Sequence, residues 1–501
     1  MNVRVFCVSA AAVVLVGLAT LSGCIKELYP PFLGGGGRVL TGITAGNVFG
    51  GDPFTENLVV GRTFTDGVSV ATATFAPSDL TRQPLGIDFN RDGKVDPVVG
   101  YGGDVGVVQI LLSTATGDFI SLTLDSQRDI KKLADAAAAD IDNDGKLDII
   151  VGADAAIWYL HHPSDHDTTE LREWTINSIA GSETELSTED IQAIIAQSVG
   201  LAVNLADYNV VVEQIYRNVE IADMDQNGAN DIIASQSFLI DLRPRPETDA
   251  VPIQIVDGSI QIFGNPGDDT VGIGWSLTSI GVNERETGLD RDGAMGLIIY
   301  DIDGDGDLDI ISAASEDNNV QVAWFENPGG GLLDNLVWTQ WRIGSLRNAL
   351  NIDVADVTGD GRPDVVATGG EQKQVLIFEQ PATGARRSYD WDTYPAVTFD
   401  SFEPRDVKII DIDGDGQNDL IVGATGGAVR YFTRPTEPRD EWNVFIVTTF
   451  DPPGTVGVIG YGDLDGDGDL DLVTVVDGDD ENGSRISWIR NDLDNSAVVS
   501  P

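Results

Sequence analysis

Cysteine, histidine, methionine and cationic side chains are all scarce in this chain. Its 501 residues include 2 Cys, 3 His and 3 Met, and 30 Lys and Arg stand against 81 Asp and Glu. Two cysteines, Cys7 and Cys24, exclude a disulfide framework. The histidines, His161, His162 and His166, are confined to one short stretch with Asp165 and Asp167. It reads as a solvated polar turn, with a transition metal as the sharper alternative. There is no nucleophile elbow and no phosphate-binding glycine loop. No catalytic constellation is therefore legible, although a carboxylate pair of the glycosidase kind would be hidden among so many acids. A formal net charge of −51 excludes nucleic acid and anionic membrane surfaces as partners of the main body.

Long apolar runs are also missing beyond the first residues. Val5 to Thr20 follows Arg4 and is too short to span a bilayer comfortably. It ends in Leu21-Ser22-Gly23-Cys24, which resembles a bacterial lipobox. That resemblance implies a signal peptide over residues 1–23 and acylation of Cys24. Cys24 to residue 57, with Pro30-Pro31 and Gly34 to Gly37, reads as a flexible tether. Contact with a membrane is expected through the lipid anchor only. In lipoproteins of that kind an Asp after the Cys retains the product at the inner membrane. Ile25 stands there instead, so the expectation is the outer membrane or cell surface.

What is abundant is aspartate, and it is spaced. Asp301-Ile302-Asp303-Gly304-Asp305-Gly306-Asp307-Leu308-Asp309 carries acids at positions 1, 3, 5 and 9, with glycine at the turn. Oxygen donors at this density suit Ca²⁺, which takes six to eight of them. The run then enters Ile310-Ile311, so the loop joins two strands rather than two helices. Seven such loops recur. Their candidate ligands are Asp88, Asn90, Asp92 and Asp96; Asp140, Asp142, Asp144 and Asp148; and Asp223, Asp225, Asn227 and Asp231. They continue as Asp301, Asp303, Asp305 and Asp309; Asp356, Thr358, Asp360 and Asp364; Asp411, Asp413, Asp415 and Asp419; and Asp463, Asp465, Asp467 and Asp471. Asn90, Asn227 and Thr358 are neutral, which should weaken those three sites. The cofactor expected is Ca²⁺, up to seven ions. These would still leave the chain at about −37.

The loops start 52, 83, 78, 55, 55 and 52 residues apart, and each but the last, which has two, is followed by three short strand-like runs. A period near 50 with four strands per unit indicates a propeller. The series resembles the FG-GAP/VCBS repeat family, the calcium-loop repeats also found in integrin α-subunit heads. The resemblance covers residues 58–501 and implies an all-β, seven-bladed propeller with metal sites in the loops between first and second strands. Counting strands from the ends predicts closure by an N-terminal strand. Val68–Phe75 is the expected partner of the last blade. Aromatic residues such as Trp158, Trp324, Phe378 and Tyr431 are expected to pack between blades.

Two insertions, 181–209 and 235–257, account for the long spacings, and a capped helix is expected over 187–198. Alternating strands put both insertions on the face opposite the metal loops, which makes that face the expected partner site. Arg82, Arg217 and Arg405 each precede a loop by six residues, with Lys131, Lys132 and Arg347 nearby, and Arg243 and Arg245 lie in the second insertion. Together they suggest a cationic mouth for an anionic group such as a uronic acid or sulfate. The function expected is a surface-anchored module that binds a protein or a glycan. The alternative is a polysaccharide-active lyase or hydrolase on the same propeller.

Overall fold

Every loop runs into β-branched and apolar residues, such as Ile149-Ile150-Val151 and Val365-Val366, that favour a pleated, buried backbone. The second strand of a unit is accordingly buried on both faces, as over Asp148–Gly152, Asp309–Ala314 and Asp364–Gly369. The computed structural model describes residues 58–65, 69–71 and most of 88–491. The longer stretches outside the description are 102–106, 114–118, 125–129, 131–133, 164–173, 180–187, 200–202, 268–274, 281–293, 315–320, 330–337, 383–386, 388–390 and 478–484. The leader, Cys24, the tether, Arg82, Lys131, Lys132 and His166 lie outside it.

The described strands form seven four-stranded antiparallel sheets, each ordered as the chain runs except the last. The innermost strands are Ser69–Ala71, Asp135–Ala139, Tyr208–Ala222, Ala294–Tyr300, Ala349–Ala355, Pro404–Ile410 and Thr455–Gly462. Each of these touches the next, and Thr455–Gly462 touches Ser69–Ala71, so the inner strands surround an axis. The molecule is a β-propeller. Its apolar cores lie between neighbouring sheets. One holds Ile311, Trp324, Val354 and Phe378 of the fourth and fifth sheets, and another holds Val366, Val407, Phe432 and Trp442 of the fifth and sixth. Val95 and Leu111 pack on Val473 and Trp488, which joins the first sheet to the last. Trp324, Phe378 and Tyr431 are fully buried in these cores, and Trp158 is partly buried in another. Inner strands approach closely. A Cβ on Gly296 would stand 2.9 Å from the Leu350 carbonyl oxygen, so the fourth and fifth sheets admit only glycine there.

Two expectations are corrected. The fourth strand of the last sheet is Leu58–Thr65, paired with Arg485–Asn491 from Leu58↔Asn491 to Thr65↔Arg485. The segment expected in that role, Val68–Phe75, instead supplies Ser69–Ala71, paired with Val98–Gly100 in the first sheet. Both segments are β-like, and the pairing decides between them: the upstream one meets Arg485–Asn491, which leaves Ser69–Ala71 to begin the first sheet.

The insertions are also more ordered than loops. The inner strand Tyr208–Ala222 and its partner Asp231–Pro244 are 15 and 14 residues long. With Ile253–Gly264 they carry the third sheet beyond its neighbours, on the side away from the acidic loops. The expected helix spans Thr188–Val199 and is here called α1. Its Ile191, Ile194 and Ile195 pack on Val210, Val212, Ile240, Leu242, Ile253 and Ile255. Those strand residues alternate, so one face of the extension is apolar and α1 covers it.

Candidate metal centres

Each loop is built by one repeated hydrogen-bond plan. The carboxylate at position 1 caps the turn. Asp140 Oδ1 accepts from Asp144 N at 3.1 Å and Oδ2 from Gly145 N at 2.8 Å. Asp88, Asp223, Asp356 and Asp411 do the same with their own positions 5 and 6. Position 6 is a glycine at positive φ, +85° at Gly145 and +97° at Gly306, where a side chain would be strained. Position 5 then accepts from position 7, as Asp144 does from Lys146 N at 2.9 Å.

Position 9 does a different task. Asp309 Oδ2 accepts from Ile302 N at 3.1 Å, and Oδ1 accepts from Asn327 N at 2.9 Å. Asp96, Asp148, Asp231, Asp364 and Asp471 likewise join position 2 of their loop to the end of the third strand. This carboxylate is thus a pin as well as a candidate ligand. Burial pushes these acids upward: Asp364 to about 6, Asp96, Asp148 and Asp231 to about 7, and Asp309 and Asp419 to about 8. Nearby loop carboxylates add to the effect, Asp303 on Asp309 and Asp413 on Asp419.

Carboxylate oxygens of Asp140, Asp142 and Asp148 lie within 4.8 Å of one another, as do those of Asp223, Asp225 and Asp231 and of Asp301, Asp303 and Asp309. Positions 1, 3 and 9 therefore converge, and position 5 meets position 3 from the other side. The residues fit a hard cation on their own chemistry. Half-buried acids crowded this closely repel, and Asp140, Asp303 and Asp411 are raised by burial and by neighbouring loop acids. A divalent ion would relieve that repulsion with oxygen donors alone. Asp467, position 5 of the seventh loop, lies outside the described residues.

Sequence reasoning missed a polar residue at the end of the third strand. Asn327 Nδ2 donates to the Met224 carbonyl of the preceding loop at 3.0 Å, and to Leu308 O at 3.1 Å. Asn265, Gln380 and Asn491 make the corresponding bonds to Ile141, Ile302 and Ile412. Between the last loop and the first, Val95 N donates to Asp463 O at 3.0 Å. Neighbouring loops are thus stitched together from the second to the fifth, from the sixth to the seventh, and from the seventh back to the first. Glu326, just before Asn327, also reaches its loop: a group of Glu326, Asp303 and Asp305 forms, and Arg387 from the next sheet bonds both Glu326 and Asp303.

The expected cationic residues that the structure describes each take a partner close by, Arg347 aside. Arg217 Nε donates to Ser237 Oγ at 2.9 Å, and Arg405 pairs with Glu403 at 2.8 Å. Arg243 pairs with Asp241 at 2.7 Å, and Arg245 Nε donates to Tyr208 O at 3.1 Å, both on the extension of the third sheet. Arg347 is exposed. An inner strand carries a further cation that was not expected, Lys408, whose ammonium lies 3.5 Å from Asp406. The carboxylates of Asp406 and Asp353 hold its proton tightly against the effect of burial.

No curated protein matches this chain in sequence. Among solved structures, BBS1N in complex with ARL6DN is similar at 11% identity and a TM-score of 0.46, covering 87% of this chain and 98% of that one. The Dos1 propeller is similar at 11% identity and a TM-score of 0.43, over 87% and 95%. YCF48 from Cyanidioschyzon merolae is similar at 10% identity and a TM-score of 0.42, over 85% and 96%. The FG-GAP-like repeat family matches at three places, each opening on the first aspartate of a loop. The chain is a β-propeller that carries FG-GAP-like repeats at residues 88–151, 301–367 and 411–474.

Proposed function

We propose that this chain is a calcium-stabilised binding module, held to a bacterial envelope by a lipid on Cys24. Its partner, a protein or an anionic glycan, docks on the extension of the third sheet. The observation that carries this reading is the extension itself. It has an apolar core of its own under α1, so it is a built platform rather than slack chain. It stands on the face opposite the seven loops, where ordered insertions on a rigid scaffold serve recognition. It also presents Arg243, 59% exposed, and Val251, 56% exposed. In this reading the ions rigidify the ring and take no part in contact with the partner.

The test is retention of the mature chain on immobilised uronate and sulfate polysaccharides and on envelope proteins, with and without EGTA. The double variant Arg243→Ala with Val251→Asp is run beside it. Expected is calcium-dependent retention, weakened about tenfold or more in the variant, with no new reducing ends or unsaturated uronates. Equal retention of the variant, or product formation, would overturn the reading.

A further inference from the structure

The structure separates two histidines that are adjacent in sequence. The His162 ring turns inward, 4.8 Å from the Trp174 ring at 71°, and its Nδ1 lies 3.0 Å from the Pro163 carbonyl oxygen. Its backbone amide donates to Asp148 Oδ1 at 2.7 Å, which pins the end of the third strand to the second loop. His161 consequently faces the loop. Its Nε2 lies 2.8 Å from Asp142 Oδ2, and its donor atom with those of Asp142 and Asp144 falls within 4.8 Å.

The corresponding position in the fourth sheet is Glu326, one residue before Asn327. There the group is all carboxylate, and Arg387 bonds Glu326 and Asp303 with its own positive charge. In the second sheet the strand contributes an imidazole nitrogen instead. The loop's own cation, Lys146, places its ammonium 3.0 Å from the Pro163 carbonyl oxygen. Imidazole adds little affinity for Ca²⁺, which selects hard oxygens, and much for first-row transition ions. One imidazole with two carboxylates is a donor set those ions favour.

We propose that the second loop is a mixed nitrogen–oxygen site, formed by His161, Asp142 and Asp144, that takes a first-row transition cation in preference to Ca²⁺. This rests on the reading that the loops hold cations, and it sets one of the seven apart from the rest. The site is preorganised by the bond between His162 and Asp148, which aims His161 at the loop before any ion arrives.

The experiment loads the full mature chain with excess Ca²⁺ and then adds one equivalent of Co²⁺. The expected result is cobalt retained against the calcium, with one hyperfine-shifted, exchangeable imidazole proton in the NMR spectrum. His161→Gln should remove that signal and weaken cobalt at least tenfold, while His166→Gln should change neither. An unchanged calcium-dependent melting temperature in His161→Gln shows that the variant is folded. Displacement of cobalt by calcium, or persistence of the imidazole signal in His161→Gln, would overturn the proposal. Those results leave calcium at the other loops intact. A chain that binds neither ion would overturn this proposal together with the reading beneath it.

Discussion

Asn327 shows what a single side chain contributes to the ring. It is 1% exposed, donates to two carbonyls in different sheets, and accepts from Gly329 N at 3.1 Å. Truncation would leave those carbonyls without a partner inside the protein, and an unsatisfied buried group costs about 1–3 kcal/mol. Asn327→Ala is therefore expected to lower the melting temperature by a few degrees, read by calorimetry, while truncation of the exposed Leu277 should leave it nearly unchanged. The acids of the loops were legible because their spacing within nine residues is fixed by the turn. Asn327 was not, because its distance from position 9 varies: 18 residues at Asp309, 16 at Asp364, 14 at Asp148 and 34 at Asp231. A side chain that depends on a turn of variable length has no sequence period. His161 and Glu326 escaped notice as partners of the loops for the same reason.

At the scale of the loop, burial has a consequence for pH. In the metal-free protein the position-9 acids hold their protons up to about 6 at Asp364 and about 8 at Asp309 and Asp419. An unfolded aspartate releases its proton near 3.9. The folded state thus binds more protons between those limits, and stability falls as pH rises through them. With EGTA present, the melting temperature should be higher at pH 5 than at pH 8. Calcium should reverse the order, because the ion binds the ionised form and competes with protons. A melting temperature that rises with pH in EGTA would show that these acids are ionised without metal. The extension of the third sheet was only half legible. The helix was announced by Ile191, Ile194 and Ile195, but Val210, Val212, Ile240 and Leu242 alternate just as plainly. Their period of two marks strand, and it continues the blade instead of interrupting it.

For the whole molecule, the seam between the ends decides cooperativity. The last sheet draws its outer strand from Leu58–Thr65, and the first and last loops are joined by the bond from Val95 to Asp463. Removing residues 1–65 would bare the edge of Arg485–Asn491, and an open edge invites pairing between molecules. Such a truncation should melt earlier and form oligomers by light scattering, whereas removing residues 1–57 should do neither. The repeat spacing made the ring readable in advance, but not which of two neighbouring strands closes it. Both segments are β-like, and only pairing distinguishes them.

The register of that outer strand has one more consequence. Leu58 pairs with Asn491, whose amide bonds Asp471 of the seventh loop, so the chain enters the ring on the side of the acidic loops. An anchor on Cys24 of the kind proposed above would therefore be attached at the end of the ring that carries the acidic loops. The extension of the third sheet stands at the opposite end of its strands, away from that point of entry.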